Sequence, residues 1–176
     1  MDYQETVKWL YNQLPSYQKE GQSAYKKDIN NIFKFFQKNG QAYLSFETIH
    51  VGGTNGKGSV SHMLSSILQE SGLKIGLFTS PHLLEFRERI KINGKMIHKK
   101  FVIDFVKHHM IDFQNMNLSF FEMNVAMAFN YFEHESVDLA IIEVGLGGRL
   151  DATNVIKNPI LTIITSISID HSDFLG

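Results

Sequence analysis

The amino-acid sequence predicts an α/β protein with a largely parallel sheet, flanking helices and a nucleotide-binding loop of the P-loop type. Three observations predict this class. Short apolar runs of strand length alternate with segments whose apolar residues recur at helical spacing. The run at 138–144 is of the kind found in strands buried on both sides of a parallel sheet. A glycine-rich loop joins the first predicted strand to the helix after it, which is typical of phosphate-binding domains.

The predicted elements follow one another from the N-terminus. Two helices are predicted in the first 40 residues, separated by a polar loop at 15–24, from the helical spacing of Val7, Leu10, Tyr11 and Leu14 and then of Ile29, Ile32, Phe33 and Phe36. Strands are predicted at 46–51, 74–79, 138–144 and 159–167, and further helices at 58–72, 99–114 and 119–134. Asn93 and Gly94 form a favoured turn pair, which predicts a hairpin at 89–98.

Two packing expectations accompany these elements. The helix at 58–72 is expected to bury one apolar face, made of Val60, Met63, Leu64, Ile67 and Leu68. The strand at 159–167 is apolar enough to be buried, and a covering helix is expected after it. We therefore expect the natural polypeptide to continue beyond Gly176. Residues 1–176 would then form a single, incomplete N-terminal domain.

Composition narrows the classes of function. The 176 residues include 17 Lys and Arg, 18 Asp and Glu and no Cys, and the sequence pI is about 6.7. This near-neutral balance gives no support for nucleic-acid binding, and the lack of Cys excludes disulfides, thiolate metal sites and a Cys nucleophile. The polar N-terminus is unlike a signal peptide, and the apolar runs are too short to span a membrane. We expect a cytoplasmic protein.

The segment HVGGTNGKGSV at 50–60 is the strongest local motif. A strand leads into it and a helix leads out, so its backbone N–H groups and the helix N-terminus can bind phosphate, with Lys57 adding a charge and Ser59 a hydroxyl. The motif departs from the common P-loop pattern, because Val51 stands where that pattern has Gly and Gly58 where it has Ser or Thr. The alternative is a simple glycine turn. The candidate phosphate-binding residues are Thr54, Asn55, Gly56, Lys57, Gly58 and Ser59.

Polar side chains follow three predicted strands. Ser80 comes directly after the predicted strand 74–79, Glu143 lies near the end of the predicted strand 138–144, and His171 follows the predicted strand 159–167. Ligands of parallel α/β sheets bind beyond the carboxyl ends of the strands, so these side chains and the glycine loop should share one edge. A carboxylate in such a place can hold magnesium beside a nucleotide, and imidazole can also bind metal. Taken singly, Glu143 and His171 could equally be ordinary loop residues.

Three further segments each have a functional and a structural interpretation. The glycine-rich segment 145–154 could close over a substrate or be a plain surface loop. Residues 119–122 have the spacing of a helix capping box, while Phe120 and Phe121 could instead form a wall for a flat ligand. The basic residues between Arg87 and Lys100 could attract an anionic substrate or simply form a solvated face.

Taken together, HVGGTNGKGSV, FTSPHL at 78–83, EVGLGGRLDATN at 143–154 and the final DH with FLG resemble the folylpolyglutamate synthase and dihydrofolate synthase family of Mur-type ligases. The resemblance implies ATP-dependent joining of L-glutamate to a folate or to dihydropteroate through an acyl phosphate. It implies that ATP phosphates bind at Thr54, Asn55, Gly56 and Lys57, and that Mg²⁺ binds at Ser80, Glu143 and His171. It implies a folate or pterin site along Ser119, Phe120, Phe121, Glu122, Leu150, Asp151 and Ala152.

The resemblance also implies parts that this sequence does not contain. The family continues into a lysine-bearing helix and a C-terminal domain, so we expect residues 1–176 alone to be inactive. We expect a monomer whose partners are small molecules. Two alternatives stay open at this point: a Mur-type ligase that acts on a cell-wall precursor, and a non-catalytic phosphate-binding module. The motifs at 78–83 and 143–154 favour the folate enzymes over the cell-wall ligases.

Overall fold

The computed structural model describes residues 1–13 and 28–169, in which helices and strands alternate along most of the chain. The helices are α1 (Tyr3–Asn12), α2 (Asn30–Asn39), α3 (Lys57–Gln69), α4 (Lys99–Asn115) and α5 (Phe120–His134). The strands are β1 (Glu47–Gly52), β2 (Ile75–Phe78), β3 (Ile90–Ile92), β4 (Lys95–Met96), β5 (Leu139–Glu143) and β6 (Leu161–Ile164). Leu14, the predicted loop at 15–24, Asp170 and His171 lie outside the described residues.

The six strands form one sheet in the order β4-β3-β2-β5-β1-β6. Strand β5 runs parallel to β1 and β2, and β1 runs parallel to β6, whereas β3 and β4 are antiparallel additions. In this register Val51 pairs with Glu143 and Phe78 pairs with Ile142. The carboxyl ends of β1, β2 and β5 therefore meet at one edge, and the α/β class is confirmed.

The predicted hairpin is also confirmed. Strands β3 and β4 pair antiparallel, with Lys91 opposite Met96. Between them, Asn93 and Gly94 have φ values of 44° and 74°. Both residues are left-handed, as a type I′ turn requires, and Asn93 additionally accepts a hydrogen bond from the backbone N–H of Ile75 through its side-chain oxygen at 2.7 Å. The turn is thereby attached to the start of β2.

The two faces of the sheet bury different cores because successive strand residues point to opposite sides. On one face, Ala140 and Ile142 of β5 and Phe78 of β2 join a large aromatic core with residues of α1, α2, α4 and α5. On the other face, a smaller core is covered by α3 and consists of Ile49, Val51, Ile75, Leu77, Leu139 and Ile141. Parallel strands inside a sheet are expected to be buried on both faces, as most residues of β1, β2 and β5 are.

The predicted apolar face of α3 is partly wrong. Val60, Leu64 and Leu68 pack against the smaller core, but Met63 and Ile67 are 60% and 67% exposed. Ser61 and Ser65 are buried in their place. These small side chains lie one turn apart on the face next to the sheet, and they let the helix approach it closely, which turns Met63 and Ile67 towards solvent.

The predicted burial of the last strand is wrong for the described residues. Leu161 and Ile164 of β6 are 48% and 64% exposed. Among the strands of residues 1–13 and 28–169, β6 is at the end of the sheet order and pairs with β1 alone. Its composition is that of a buried strand, whereas its position among these strands is at an edge. Separately, no helix in the part of the chain that the structure describes is long and apolar enough to cross a membrane.

Candidate functional site

The glycine loop leaves the end of β1 and enters α3, as predicted. Gly53 has φ of 129° and Gly56, the N-cap residue of α3, has φ of 86°. Both values lie in the left-handed region, where glycine is favoured. A Cβ on Gly53 would also lie 2.2 Å from Thr165 Oγ1. The first-turn N–H groups of α3 have no carbonyl partner within the helix, and a helix N-terminus of this kind is suited to binding an anion.

A second segment, 165–168, is hydrogen-bonded to this loop at Thr54 and Asn55. The Thr54 N–H donates to the Ser166 carbonyl oxygen at 2.5 Å, and the Asn55 N–H donates to Ser166 Oγ at 3.3 Å. Thr165 Oγ1 donates to the Asn55 carbonyl oxygen at 2.7 Å. Sequence reasoning missed Thr165 and Ser166, because only the pairing of β6 with β1 brings them beside the loop.

Lys57 is held over the same loop. Its Nζ donates to the carbonyl oxygens of Gly53 at 2.8 Å and of Thr54 at 3.2 Å. These carbonyls keep the ammonium group next to the first turn of α3, where it adds a full positive charge to the partial charge of the helix N-terminus. Ser59 lies in that first turn and is exposed. The predicted phosphate-binding residues 54–59 therefore lie together in the loop and the first turn of α3, with Lys57 as the cation among them.

Ser80 and Glu143 are brought together at the same edge of the sheet. The Ser80 N–H donates to Glu143 Oε2 at 2.9 Å, and Glu143 is 4% exposed. A Cβ on Gly58 would lie 3.7 Å from Glu143 Oε1, so the carboxylate adjoins the phosphate loop. Burial raises the pKa of Glu143, against the lowering effect of the Ser80 hydrogen bond and the nearby charge of Lys57. A buried carboxylate of this kind is stabilised by a bound cation.

The described residues include two of the three predicted metal ligands, Ser80 and Glu143. They contain no group of three or more His, Asp or Glu side chains able to hold a metal, and His171 lies outside them. Glu143 and Ser80 provide oxygen atoms, which are the donors Mg²⁺ prefers. Mg²⁺ usually keeps several waters and takes one or two protein carboxylates beside substrate phosphates. The donor set therefore fits this ion.

Asp151 is occupied within the protein. Its Oδ1 accepts hydrogen bonds from the Thr153 N–H and hydroxyl, at 3.0 Å and 2.5 Å, and its Oδ2 accepts from the N–H groups of Gly145 and Leu146, at 3.0 Å and 2.9 Å. Asp151 is 5% exposed and caps the 3₁₀ helix Ala152–Val155. Through these bonds Asp151 fixes both ends of the segment 145–151. That Asp151 lies along a folate or pterin site stays a prediction.

His50 extends this network to β1. Its Nε2 lies 2.8 Å from Thr153 Oγ1. The Thr153 hydroxyl donates to Asp151, so its oxygen accepts from His50, which must carry its proton on Nε2. Burial lowers the pKa of His50 and keeps the ring neutral. Sequence reasoning missed His50, although a polar residue between the apolar Ile49 and Val51 of a buried strand was a usable signal.

The residues at 119–122 form the predicted capping box. The Ser119 N–H donates to Glu122 Oε2 at 2.7 Å, and the Glu122 N–H donates to Ser119 Oγ at 3.3 Å. The alternative interpretation was that Phe120 helps to form a wall for a flat ligand. Phe120 is instead 5% exposed and packs on Tyr11 and Phe86, so its ring is not open to a ligand.

Phe121 is the aromatic residue that reaches the site. A Cβ on Gly145 would lie 2.3 Å from Phe121 Cζ, so this ring packs directly on the start of the glycine-rich segment. Of the other two predicted substrate residues, Ala152 is buried and packs in the larger core, while Leu150 is half-buried. Ser119, Phe121 and Leu150 are therefore the members of this predicted set that the structure leaves partly exposed.

An open cavity of about 890 Å³ lies between the phosphate loop and the glycine-rich segment. Its lining includes His50, Gly53, Thr54, Lys57, Arg149 and Asn154. The volume is within the usual range for small-molecule pockets, and a few polar groups converge on it. The cavity, the cationic loop and the buried Glu143 together describe a site suited to a phosphorylated ligand.

The fold and this site define a domain of the Mur ligase class. The Mur ligase middle domain family matches residues 51–176, and the chain belongs to that family. The chain is 44% identical over 157 residues to the dihydrofolate synthase/folylpolyglutamate synthase of Buchnera aphidicola subsp. Schizaphis graminum, covering 86% of this chain and 37% of the relative. It is 36% identical to the folylpolyglutamate synthase of Lacticaseibacillus casei, covering 100% of this chain and 41% of that protein.

Solved structures agree with the sequence relatives. The folylpolyglutamate synthase of Thermotoga maritima superposes with a TM-score of 0.84 at 39% identity, over 95% of this chain and 38% of that one. An FPGS–AMPPCP–folate complex superposes with a TM-score of 0.89 at 34% identity, over 100% of this chain and 43% of that one. The chain thus spans about two fifths of the length of the proteins it matches.

Proposed function

We propose that this chain is the nucleotide-binding part of a ligase that uses ATP to join L-glutamate to a folate or to dihydropteroate. The observation that carries the proposal is the placement of the Lys57-bearing glycine loop beside the buried Glu143 and Ser80. The kinds of protein that the chain resembles support the folate substrates over a cell-wall precursor. Those relatives extend well beyond the matched span, so the complete reaction is proposed for a polypeptide of their full length.

The phosphate loop would bind and orient ATP. The first-turn N–H groups of α3 would donate to phosphate oxygens, and Lys57 would exchange its bonds to Gly53 and Thr54 for charge-assisted bonds to the phosphates. Ser59 would add a hydroxyl donor. Because the loop is fixed by Thr165 and Ser166, these groups are oriented before ATP arrives, which lowers the reorganisation needed during reaction.

Glu143, Ser80 and His171 would hold Mg²⁺ at the edge of the sheet beside the phosphates. When bound, this ion neutralises charge on the transferring phosphoryl group. Burial of Glu143 matches this role, because its carboxylate gains a cationic partner when the site is loaded. The Ser80 N–H keeps Oε2 of that carboxylate in a fixed orientation.

The reaction itself needs activation of a carboxylate. A carboxylate oxygen of the acceptor attacks the γ-phosphorus of ATP. The bond between the γ-phosphorus and the oxygen that bridges it to the β-phosphate breaks, which yields an acyl phosphate and ADP. The amine of L-glutamate then attacks the acyl carbon, phosphate leaves, and the amine loses a proton as the amide forms. Each step is a displacement between substrates, so the protein contributes alignment and charge stabilisation and no covalent nucleophile.

The test measures ADP formation with MgATP and L-glutamate, using the longest natural form of the protein. Dihydropteroate, tetrahydrofolate and no acceptor are compared, with Lys57→Ala as the variant and the exposed Lys95→Ala as the control. We expect acceptor-dependent ADP release that Lys57→Ala abolishes and Lys95→Ala preserves. No stimulation by either acceptor would exclude the proposal.

Residues 1–176 alone are expected to bind ATP without turnover, and ADP release by this chain in the presence of acceptor would contradict that expectation. We also propose a monomer in the cytoplasm whose partners are small molecules, in keeping with the near-neutral charge. Light scattering at working concentration tests the monomer.

A further inference from the structure

The cavity between the phosphate loop and the glycine-rich segment has a charged residue on each of these two walls. Lys57 belongs to the phosphate loop, and Arg149 belongs to the segment 145–154. Among the described residues that line the cavity, no Asp or Glu side chain is present to offset the two positive charges. The cavity is therefore suited to a ligand that carries negative charge towards both walls.

Arg149 differs from Lys57 because its charged group is not engaged by the protein. The Lys57 ammonium group donates to the carbonyl oxygens of Gly53 and Thr54, at 2.8 Å and 3.2 Å. Arg149 is exposed, and within residues 1–13 and 28–169 its guanidinium makes no hydrogen bond or ion pair. The N–H donors of this guanidinium are therefore available to a ligand in the cavity.

The backbone around Arg149 is nevertheless fixed. The Asp151 N–H donates to the Gly148 carbonyl oxygen at 2.9 Å, and the side-chain amide of Asn154 donates to the same oxygen. The Asp151 carboxylate accepts a hydrogen bond from the Gly145 N–H at 3.0 Å. Arg149 therefore lies in a short closed turn, whose anchored backbone carries a side chain that is free to bind a ligand.

The segment that carries Arg149 begins beside the proposed site of the ATP phosphates. Gly145 comes soon after Glu143 in the sequence, and a Cβ on Gly58 would lie 3.7 Å from Glu143 Oε1. The Glu143 carboxylate, the first turn of α3 and the start of the segment are therefore adjacent. A γ-phosphoryl group held by the phosphate loop would have Lys57 on one side and the wall that carries Arg149 on the other.

The chemistry of phosphoryl transfer gives a cation on this second wall a role. Transfer spreads negative charge over the oxygens that the moving phosphoryl group keeps. Lys57 reaches that group from the phosphate loop. A guanidinium offers paired donors that match two phosphoryl oxygens, and it stays charged at neutral pH. An arginine on the opposite wall would therefore stabilise the charge that faces away from the loop.

We propose that Arg149 is a catalytic residue, which binds the phosphoryl group as it passes from ATP to the carboxylate of the acceptor. This inference rests on the proposed ligase function, and it adds a residue that the resemblance did not assign. The bond from the γ-phosphorus to the bridging oxygen breaks as the bond to the carboxylate oxygen forms, and ADP leaves. Arg149 takes up no proton and forms no covalent bond, so it acts through charge and orientation alone.

The first experiment measures steady-state ADP release by the longest natural form of the protein, with MgATP, L-glutamate and whichever of dihydropteroate and tetrahydrofolate is the better acceptor. The variants are Arg149→Ala and Arg149→Lys. Lys95→Ala is the control, because it removes an exposed charge from a residue that does not line the cavity. Thermal unfolding of each variant shows whether it is folded.

We expect Arg149→Ala to lower kcat by about 100-fold or more, because a donor to the transition state is lost. KM for the acceptor and for L-glutamate should change less than about threefold, since Arg149 is not required to bind either of them. Arg149→Lys should retain only part of the rate, because it keeps the charge without the paired donors. Lys95→Ala should leave kcat and both KM values unchanged.

Two further measurements separate a catalytic role from a structural one. Free guanidinium ion at millimolar concentration should restore part of the rate of Arg149→Ala and should not raise that of the wild-type protein. Calorimetry compares MgADP alone with MgADP, aluminium fluoride and acceptor, where aluminium fluoride imitates the moving phosphoryl group. Arg149→Ala should bind MgADP normally and should bind the aluminium fluoride complex about tenfold or more weakly.

An unchanged kcat in Arg149→Ala would overturn the inference. So would a loss confined to KM for the acceptor or for L-glutamate, because Arg149 would then bind a substrate carboxylate. A lower melting temperature without rescue by guanidinium would also overturn it, since the defect would then be structural. Failure of the ligase proposal is seen separately, as absence of acceptor-dependent ADP release by the wild-type protein. An active wild-type protein with an equally active Arg149→Ala variant contradicts this inference alone.

Discussion

The two faces of the sheet are packed very differently in the part of the chain that the structure describes. One face supports a large aromatic core in which Phe36, Phe129 and Phe132 are fully buried beneath the helices. The other face is covered by α3 over a small aliphatic core. The phosphate loop leads directly into α3, so the proposed nucleotide site is built on the more weakly packed side. Binding segments are commonly drawn from the less stable parts of a fold.

The largest expected effect comes from comparing these cores directly. Phe129→Ala should destabilise the chain by about 4 kcal/mol, because it removes a fully buried ring from the aromatic core. Leu64→Ala, on the half-buried face of α3, should cost only about 1 kcal/mol. Urea denaturation measures both free energies of unfolding. Similar losses for the two variants would show that the faces are equally important for stability.

The second prediction concerns the glycine loop that joins β1 to α3, the helix over the smaller core. Gly53→Ala places a Cβ 2.2 Å from Thr165 Oγ1 in a left-handed conformation, so we expect about 1–3 kcal/mol of local strain. ATP affinity should fall by about tenfold or more, as measured by calorimetry. The control is Gly148→Ala, where a Cβ meets no atom within 4 Å. Unchanged affinity in Gly53→Ala would mean that the loop does not need its observed conformation.

Local pattern predicted the strands, the hairpin and the phosphate loop, because glycine spacing and apolar periodicity act over a few residues. Apolar periodicity alone does not decide which face of α3 packs against the sheet. It predicts that Met63 is buried, whereas Ser61 and Ser65 are the buried residues. Nor could composition show that β6 is an edge. That depends on which strands pair, as do the contacts of His50 with Thr153 and of Thr54 with Ser166.

The third prediction tests how β1 is joined to the segment after β5. Thr153→Val removes the hydroxyl between His50 and Asp151, and leaves both buried groups without that partner. We expect a loss of about 1–2 kcal/mol in unfolding free energy. Thr153→Ser keeps the hydroxyl and should recover most of it. If Val and Ser are equivalent in urea denaturation, the network contributes nothing to stability.

The smallest expected effect has the opposite sign. Glu143→Gln should stabilise the chain by about 1 kcal/mol at neutral pH, or about 2–4 °C in melting temperature, because it removes a buried charge. The exposed Glu47→Gln on β1 is the control and should leave stability unchanged. Measured binding of MgATP should weaken in Glu143→Gln and not in Glu47→Gln.

The pH dependence of this last variant identifies the cause. Burial raises the pKa of Glu143, so the folded chain holds that proton more tightly than the unfolded chain. Wild-type stability therefore falls as the pH rises from the unfolded value of about 4.3 through the folded value, and the loss is complete above it. The advantage of Glu143→Gln should accordingly be full at neutral pH and disappear below about pH 4. An advantage that is independent of pH would mean that packing, not charge, sets the stability of this edge of the sheet.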